Sequence, residues 1–164
     1  MTTIEIPKPI QNQGELLSLQ SSVATTPEGG AAVLVAALLA WAQDDPRAEV
    51  YLASALDAGQ LQCGQIKLIY RQRLARQLKG GEHIVHSYLE GATPANGYRL
   101  PDPPYRVSLS RNPYSGEDSS GRVKVFVACS GAATPRPVTL KRGEDGLWRG
   151  HEWSSLLLGV APVR

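Results

Sequence analysis

Apolar residues recur at helical spacing through the first half of the chain and at strand spacing through the second. Gly14 to Ser22 reads as a short, weakly amphipathic helix. The next helix has a clear start: Thr26 caps it, Pro27 occupies its first turn and Glu28 suits its positive end. It is expected to run to about Gln43 and to be buried on nearly all sides, because Ala31 to Ala42 carries no charge. A third helix follows the same grammar, with Asp45 as cap, Pro46 in the first turn, Gly59 as the stop, and Val50, Leu52, Ala53 and Leu56 facing inward. A fourth, from about Cys63 to Gly80, shows Ile66, Tyr70, Leu74 and Leu78 four apart, with Ile69 widening the stripe.

The pattern changes after Gly81. The stretch "LEGATPANGYRLPDPPY" (Leu89 to Tyr105) is too rich in proline and glycine for regular structure. Four strand-like runs follow: Tyr105 to Ser110, Arg122 to Cys129, Pro137 to Arg142 and Leu147 to Trp153, the last two joined by the turn "GEDG". The expectation is an α+β domain in which three or four N-terminal helices pack on a C-terminal antiparallel sheet of about four strands. Its parts are an extended tail at 1–13, helices at 14–80, a Pro/Gly-rich connection at 81–104 and a β-rich segment at 105–164.

At 164 residues the chain suits one domain. The run Ala31 to Ala42 falls far short of the ~20 apolar residues a membrane span needs. The N-terminal "MTTIEIPKPIQNQ" lacks the charged-then-apolar build of a signal peptide, so a cytoplasmic setting is expected, with Cys63 and Cys129 reduced. Charge is lopsided: residues 1–60 hold two basic against seven acidic side chains, the remainder fifteen against eight. That asymmetry fits two faces of one domain, self-association into a homo-oligomer, or a nucleic-acid partner. The basic helix at 65–79 (Lys67, Arg71, Arg73, Arg76, Lys79) would serve a nucleic-acid accessory role, but no reading motif accompanies it, which weighs against that role. Arg73 falls on the inner side of that helix, where Asp44 or Asp45 would anchor it.

Catalytic motifs are sparse. No phosphate-binding loop, dinucleotide fingerprint or zinc-protease motif occurs, so no cofactor is expected. His83 and His86 have no third ligand to complete a metal site. The one nucleophilic set that can be assembled is Cys129 or Ser130 with His151 and Glu152, as in a small hydrolase or transferase. Aromatic residues offer more. Tyr98, Tyr105 and Tyr114 lie in or beside Pro-rich loops, and Trp148 and Trp153 bracket the last strand. Five apart on a strand, the two tryptophans would face opposite ways, one in the core and one exposed or covered by a loop. In "SGAATPRP" (Ser130 to Pro137), Pro135 and Pro137 restrict Arg136 to extended geometry. A stiff arginine suits an intramolecular clamp to Glu90, Glu152 or Asp102, or a contact with a partner.

Four segments carry a family resemblance: "EGATPANGY" (Glu90 to Tyr98), "RNPYS" (Arg111 to Ser115), "VKVFVACSGAATPRPVTLK" (Val123 to Lys141) and "GLWRGHEWSSLLLGVAPV" (Gly146 to Val163). Together they resemble a small bacterial domain-of-unknown-function family with EGATP, NPYS, SGAxxPRP and WxxxExSSL segments. The resemblance implies a bacterial source and a shared fold, but no reaction. Cys129 stands where that pattern has a small polar residue, which weakens a catalytic role for it. The expected function is therefore that of a non-enzymatic interaction protein, an adaptor, accessory or immunity-type binder of another protein encoded nearby. Arg136, Tyr98, Tyr114, Trp148 and Trp153 are its candidate binding residues.

Overall fold

The computed structural model describes residues 1–163. The chain forms β1 (Thr2–Ile6), α1 (Gln13–Val23), α2 (Pro27–Ala42), α3 (Ala48–Ala55), a small hairpin of β2 (Leu61–Gln62) and β3 (Gln65–Ile66), α4 (Leu68–Leu78) and α5 (Glu82–His86). Strands β4 (Tyr105–Ser110), β5 (Arg122–Val127), β6 (Arg136–Arg142) and β7 (Trp148–Glu152) follow. Five strands make one antiparallel sheet in the order β1-β4-β5-β6-β7, so the fold is α+β.

Helix α2 is the axis of the core. Thr26 Oγ1 accepts from the Gly29 amide at 3.1 Å, with Pro27 in the first turn as the sequence requires. Every residue from Pro27 to Ala40 is buried. One face of the sheet lies against it through Val107, Val123, Val125, Val127, Val138 and Leu140. At its start the approach is backbone to backbone: a Cβ on Gly30 would come within 2.6 Å of the Trp148 carbonyl oxygen. The Trp148 amide in turn donates to Ala24 O at 2.8 Å. The acidic start of α2 is held by Arg111 of the RNPYS segment, whose Nε and Nη2 donate to the two carboxylate oxygens of Glu28 at 2.6 and 3.1 Å. Asp118 adds a third contact, and these carboxylates, Glu28 foremost, push the Arg111 guanidinium pKa further up.

Several expectations need correction. The N-terminal segment is not a free tail: Thr2–Ile6 pairs antiparallel with β4, Thr2 opposite Leu109, as a fifth strand. Helix α3 starts at Ala48, after Asp45 has closed a turn by accepting from the Arg47 amide at 2.9 Å. Its inner face is Ala48, Tyr51, Leu52 and Ala55, spaced i, i+3, i+4, i+7, which leaves Val50 52% exposed. Helix α4 starts at Leu68 because Leu61–Ile66 forms the hairpin, with Cys63 (φ 53°) and Gly64 (φ 77°) both left-handed at its turn. Ile69 is then turned outward and is 56% exposed. The 81–104 connection contains α5 and a single 3-10 turn at Pro94–Asn96. No helix is long and apolar enough to cross a membrane among the described residues.

Candidate functional site

Beyond α3 the chain runs along the free edge of β7. Leu56 bridges to Gly150 in parallel, and the Asp57 amide donates to Gly150 O at 2.9 Å. A side chain at Gly150 would press on Leu34 and Leu56, so glycine allows this close approach. The result places Asp57 beside His151, which alternates outward on β7. Asp57 Oδ2 lies 2.6 Å from His151 Nδ1, and Asp57 Oδ1 accepts from the Gly59 amide at 2.8 Å. So short a contact to a carboxylate assigns the Nδ1 proton to that bond. Gln60 Nε2, 3.3 Å from the same nitrogen, only flanks the ring, while Gln60 Oε1 accepts from the Tyr70 hydroxyl at 2.5 Å. His151 Nε2 has no protein partner among the described residues.

His151 opens into a cleft of about 420 Å³ between the outer face of the sheet and α4, lined also by Gln60, Tyr70, Arg73, Lys124 and Trp153. Trp153 packs its ring against Tyr70 with centroids 5.5 Å apart. It is 3% exposed, yet its indole N–H has no acceptor. A buried donor without a partner costs about 1–3 kcal/mol, a cost the fold carries beside the cleft. Arg73 and Lys124 line the same cleft without a carboxylate partner among the described residues. Glu152, also on the wall, is already paired with Arg122 at 3.3 Å.

The nucleophilic set anticipated from sequence is not brought together. Ser130 Oγ donates to Ala92 O at 2.7 Å, and Cys129 Sγ sits 3.3 Å from Ser87 Oγ. Both line a separate depression beside α5 that His151 does not reach. The register explains it: β7 pairs only with the Thr139–Arg142 half of β6, whereas Cys129 lies past the Val127–Arg136 pair at the other end. Of the basic helix, Arg71 is taken by Glu49 at 2.5 Å, and Arg73 faces the cleft instead of Asp44 or Asp45. The His83 ring packs tilted against Tyr98, and His86 Nδ1 donates to Tyr98 O at 2.9 Å; no metal-holding cluster occurs among the described residues.

The loop residues form a closed knot. Arg136 is a clamp, but its acceptor is the Ser155 carbonyl at 3.1 Å and not Glu90, Glu152 or Asp102. Gly159 (φ 73°) lies across the guanidinium so closely that a Cβ there would be 3.1 Å from Nη2. The Tyr98 hydroxyl donates to Ala161 O and the Tyr88 hydroxyl to Leu156 O, both at 2.6 Å. Burial pushes the Tyr88 phenol well above its ordinary range, which keeps it a donor. Tyr98 and Tyr105 are buried, and so are both tryptophans. Trp148 is inside by alternation, with Arg142 over its ring at 5.7 Å from the centroid. Trp153 follows the end of β7, where the chain leaves extended geometry (ψ −1°), so strand alternation no longer applies to it. Only Tyr114 of the five candidate binding residues stands out, 91% exposed. Its turn is ordered by Asn112, whose Oδ1 accepts from the Tyr114 amide at 2.8 Å.

Asp57, Gln60, Tyr70 and Lys124 were not singled out as site residues by sequence. The usable signal was local: Asp57 precedes Ala58–Gly59, the pattern of an aspartate that caps its own turn. No curated protein and no solved structure matches the chain. The family model for the domain of unknown function DUF6935 matches residues 8–164, and the chain belongs to that family.

Proposed function

We propose that this domain is a binding module whose working surface is the His151 cleft and whose ligand is an anion. The observation that carries the reading is the presence there of two cationic side chains, Arg73 and Lys124, neither of which has a partner among the described residues. In the knot the Arg136, Tyr88 and Tyr98 side chains are paired, whereas these two cations have capacity to spare. Two cations without a carboxylate favour a ligand with negative charge. The reading goes with a bacterial cytosolic setting, in which the free thiols Cys63 and Cys129 stay reduced. The test is calorimetric titration with inorganic phosphate and phenyl phosphate, with Arg73→Ala and Lys124→Ala alongside. Saturable binding weakened about tenfold or more by each substitution supports it, equal to about 1.4 kcal/mol. Binding that neither substitution alters, or no binding, overturns it.

A second reading is favoured by Tyr114: an accessory role in which its ordered, projecting ring anchors another protein encoded beside this one. Here Tyr114→Ala abolishes co-purification with that product and leaves anion binding intact. Co-purification that survives the substitution overturns it.

A further inference from the structure

We infer that Asp57 and His151 make the cleft catalytic, with His151 as the general base for hydrolysis of a phosphate ester. The inference rests on the anion-binding reading above and adds a reaction to it. A base needs a fixed tautomer, a free lone pair and a charged neighbour to steady the cation it becomes. Asp57 meets the first and third needs. Its Oδ2 holds Nδ1–H at 2.6 Å, its Oδ1 is tied to the Gly59 amide, and its own amide is bonded to Gly150, next to His151. Nε2 meets the second, since no protein group occupies it among the described residues. The pair is half-sheltered, with 19% and 15% of the His151 and Asp57 side chains exposed, so water reaches the cleft without swamping the interaction.

The choice of ester follows from charge. A carboxylic ester is neutral and would leave Arg73 and Lys124 idle, whereas a phosphate ester brings anionic oxygens for both. In the step, a water hydrogen passes to His151 Nε2 as the water oxygen forms a bond to phosphorus. The P–O bond to the leaving group breaks, and that oxygen departs with the electron pair. The imidazolium then returns its proton to solvent, and a basic leaving oxygen takes one from water. Arg73 and Lys124 face the charge on the non-bridging oxygens throughout. Asp57 acts through the ring and is a positioning residue.

The experiment measures nitrophenolate release from p-nitrophenyl phosphate and bis(p-nitrophenyl) phosphate by the purified full chain, with binding of phenyl phosphate followed separately by calorimetry. Release from either ester is expected, falling about 100-fold or more in both His151→Ala and His151→Gln while phenyl phosphate still binds. Far-UV circular dichroism confirms that each variant is folded, and the glutamine variant serves if the alanine one is not. Asp57→Asn should lower the rate and displace the rising limb of its pH profile, which a merely structural aspartate would not do. Binding without turnover in the parent protein overturns the inference and leaves the binding reading standing. Turnover that survives both His151 substitutions also overturns it. Absence of binding removes both.

Discussion

Two regions of this molecule each set an arginine among aromatic side chains, and they differ in how those groups are spent. In the knot around the SGAATPRP loop, Arg136 reaches Ser155 O, Tyr98 reaches Ala161 O and Tyr88 reaches Leu156 O, while Ala161 N donates back to Gly131 O at 2.8 Å. In the cleft, Trp153 Nε1, His151 Nε2, Arg73 and Lys124 have no such acceptors or partners. Composition does not separate the two, because both offer what a binding surface is built from. Satisfaction does: a paired group has already exchanged water for protein and gains little from a ligand, whereas an unpaired one gains the whole bond.

The comparison breaks most visibly at Gly131. A Cβ there would overlap the Tyr98 hydroxyl and come within 2.7 Å of Val160 Cγ1. Gly131→Ala is expected to destabilise the protein by about 3 kcal/mol, the upper range for overpacking. Urea unfolding reads it directly, and a loss under 1 kcal/mol on that measurement (the low end of the range) would show the knot to be loose. Arg136→Ala comes next, at about 2 kcal/mol for a bond made by a charged donor. Arg136→Lys should recover only part of it, since lysine lacks the planar fork that lies under Gly159. Tyr98→Phe should cost about 1 kcal/mol, leaving Ala161 O without its donor. All four substitutions should leave anion binding in the cleft unchanged.

How much of this was legible depends on the range of the interaction. The α2 start at Thr26–Pro27–Glu28 and the β4 run at Tyr105–Ser110 are written in adjacent residues, and both were read to within a residue. Strand β1 was not, because Thr2 acquires its partner more than a hundred positions away. The β2–β3 hairpin was hidden by its turn, where Cys63 takes the left-handed place that asparagine or aspartate usually advertises. For Arg136 the prolines fitted a clamp on a carboxylate or a partner contact alike, and the Ser155 carbonyl it reaches leaves no mark in the sequence. The Asp57–His151 pair is a product of topology: 94 residues separate them, and only the parallel bridge at Leu56 brings them together. His151 was grouped with Cys129 as if neighbouring strands brought the two together, and the half-length register of β7 on β6 is what parts them.

The smallest expected effect on stability is the most informative. Arg73 and Lys124 hold no protein partner among the described residues, so truncating either removes no bond from the folded state. Arg73→Ala and Lys124→Ala should each change stability by less than about 0.5 kcal/mol, as for surface positions without a specific contact. A slight gain is physically reasonable, because two like charges lining one cleft repel when no anion lies between them. The same substitutions carry the tenfold loss of phosphate binding expected above. A stability loss as large as that of Arg136→Ala would mean that Arg73 is spent on the fold after all, and the contrast between knot and cleft would fail at its clearest point.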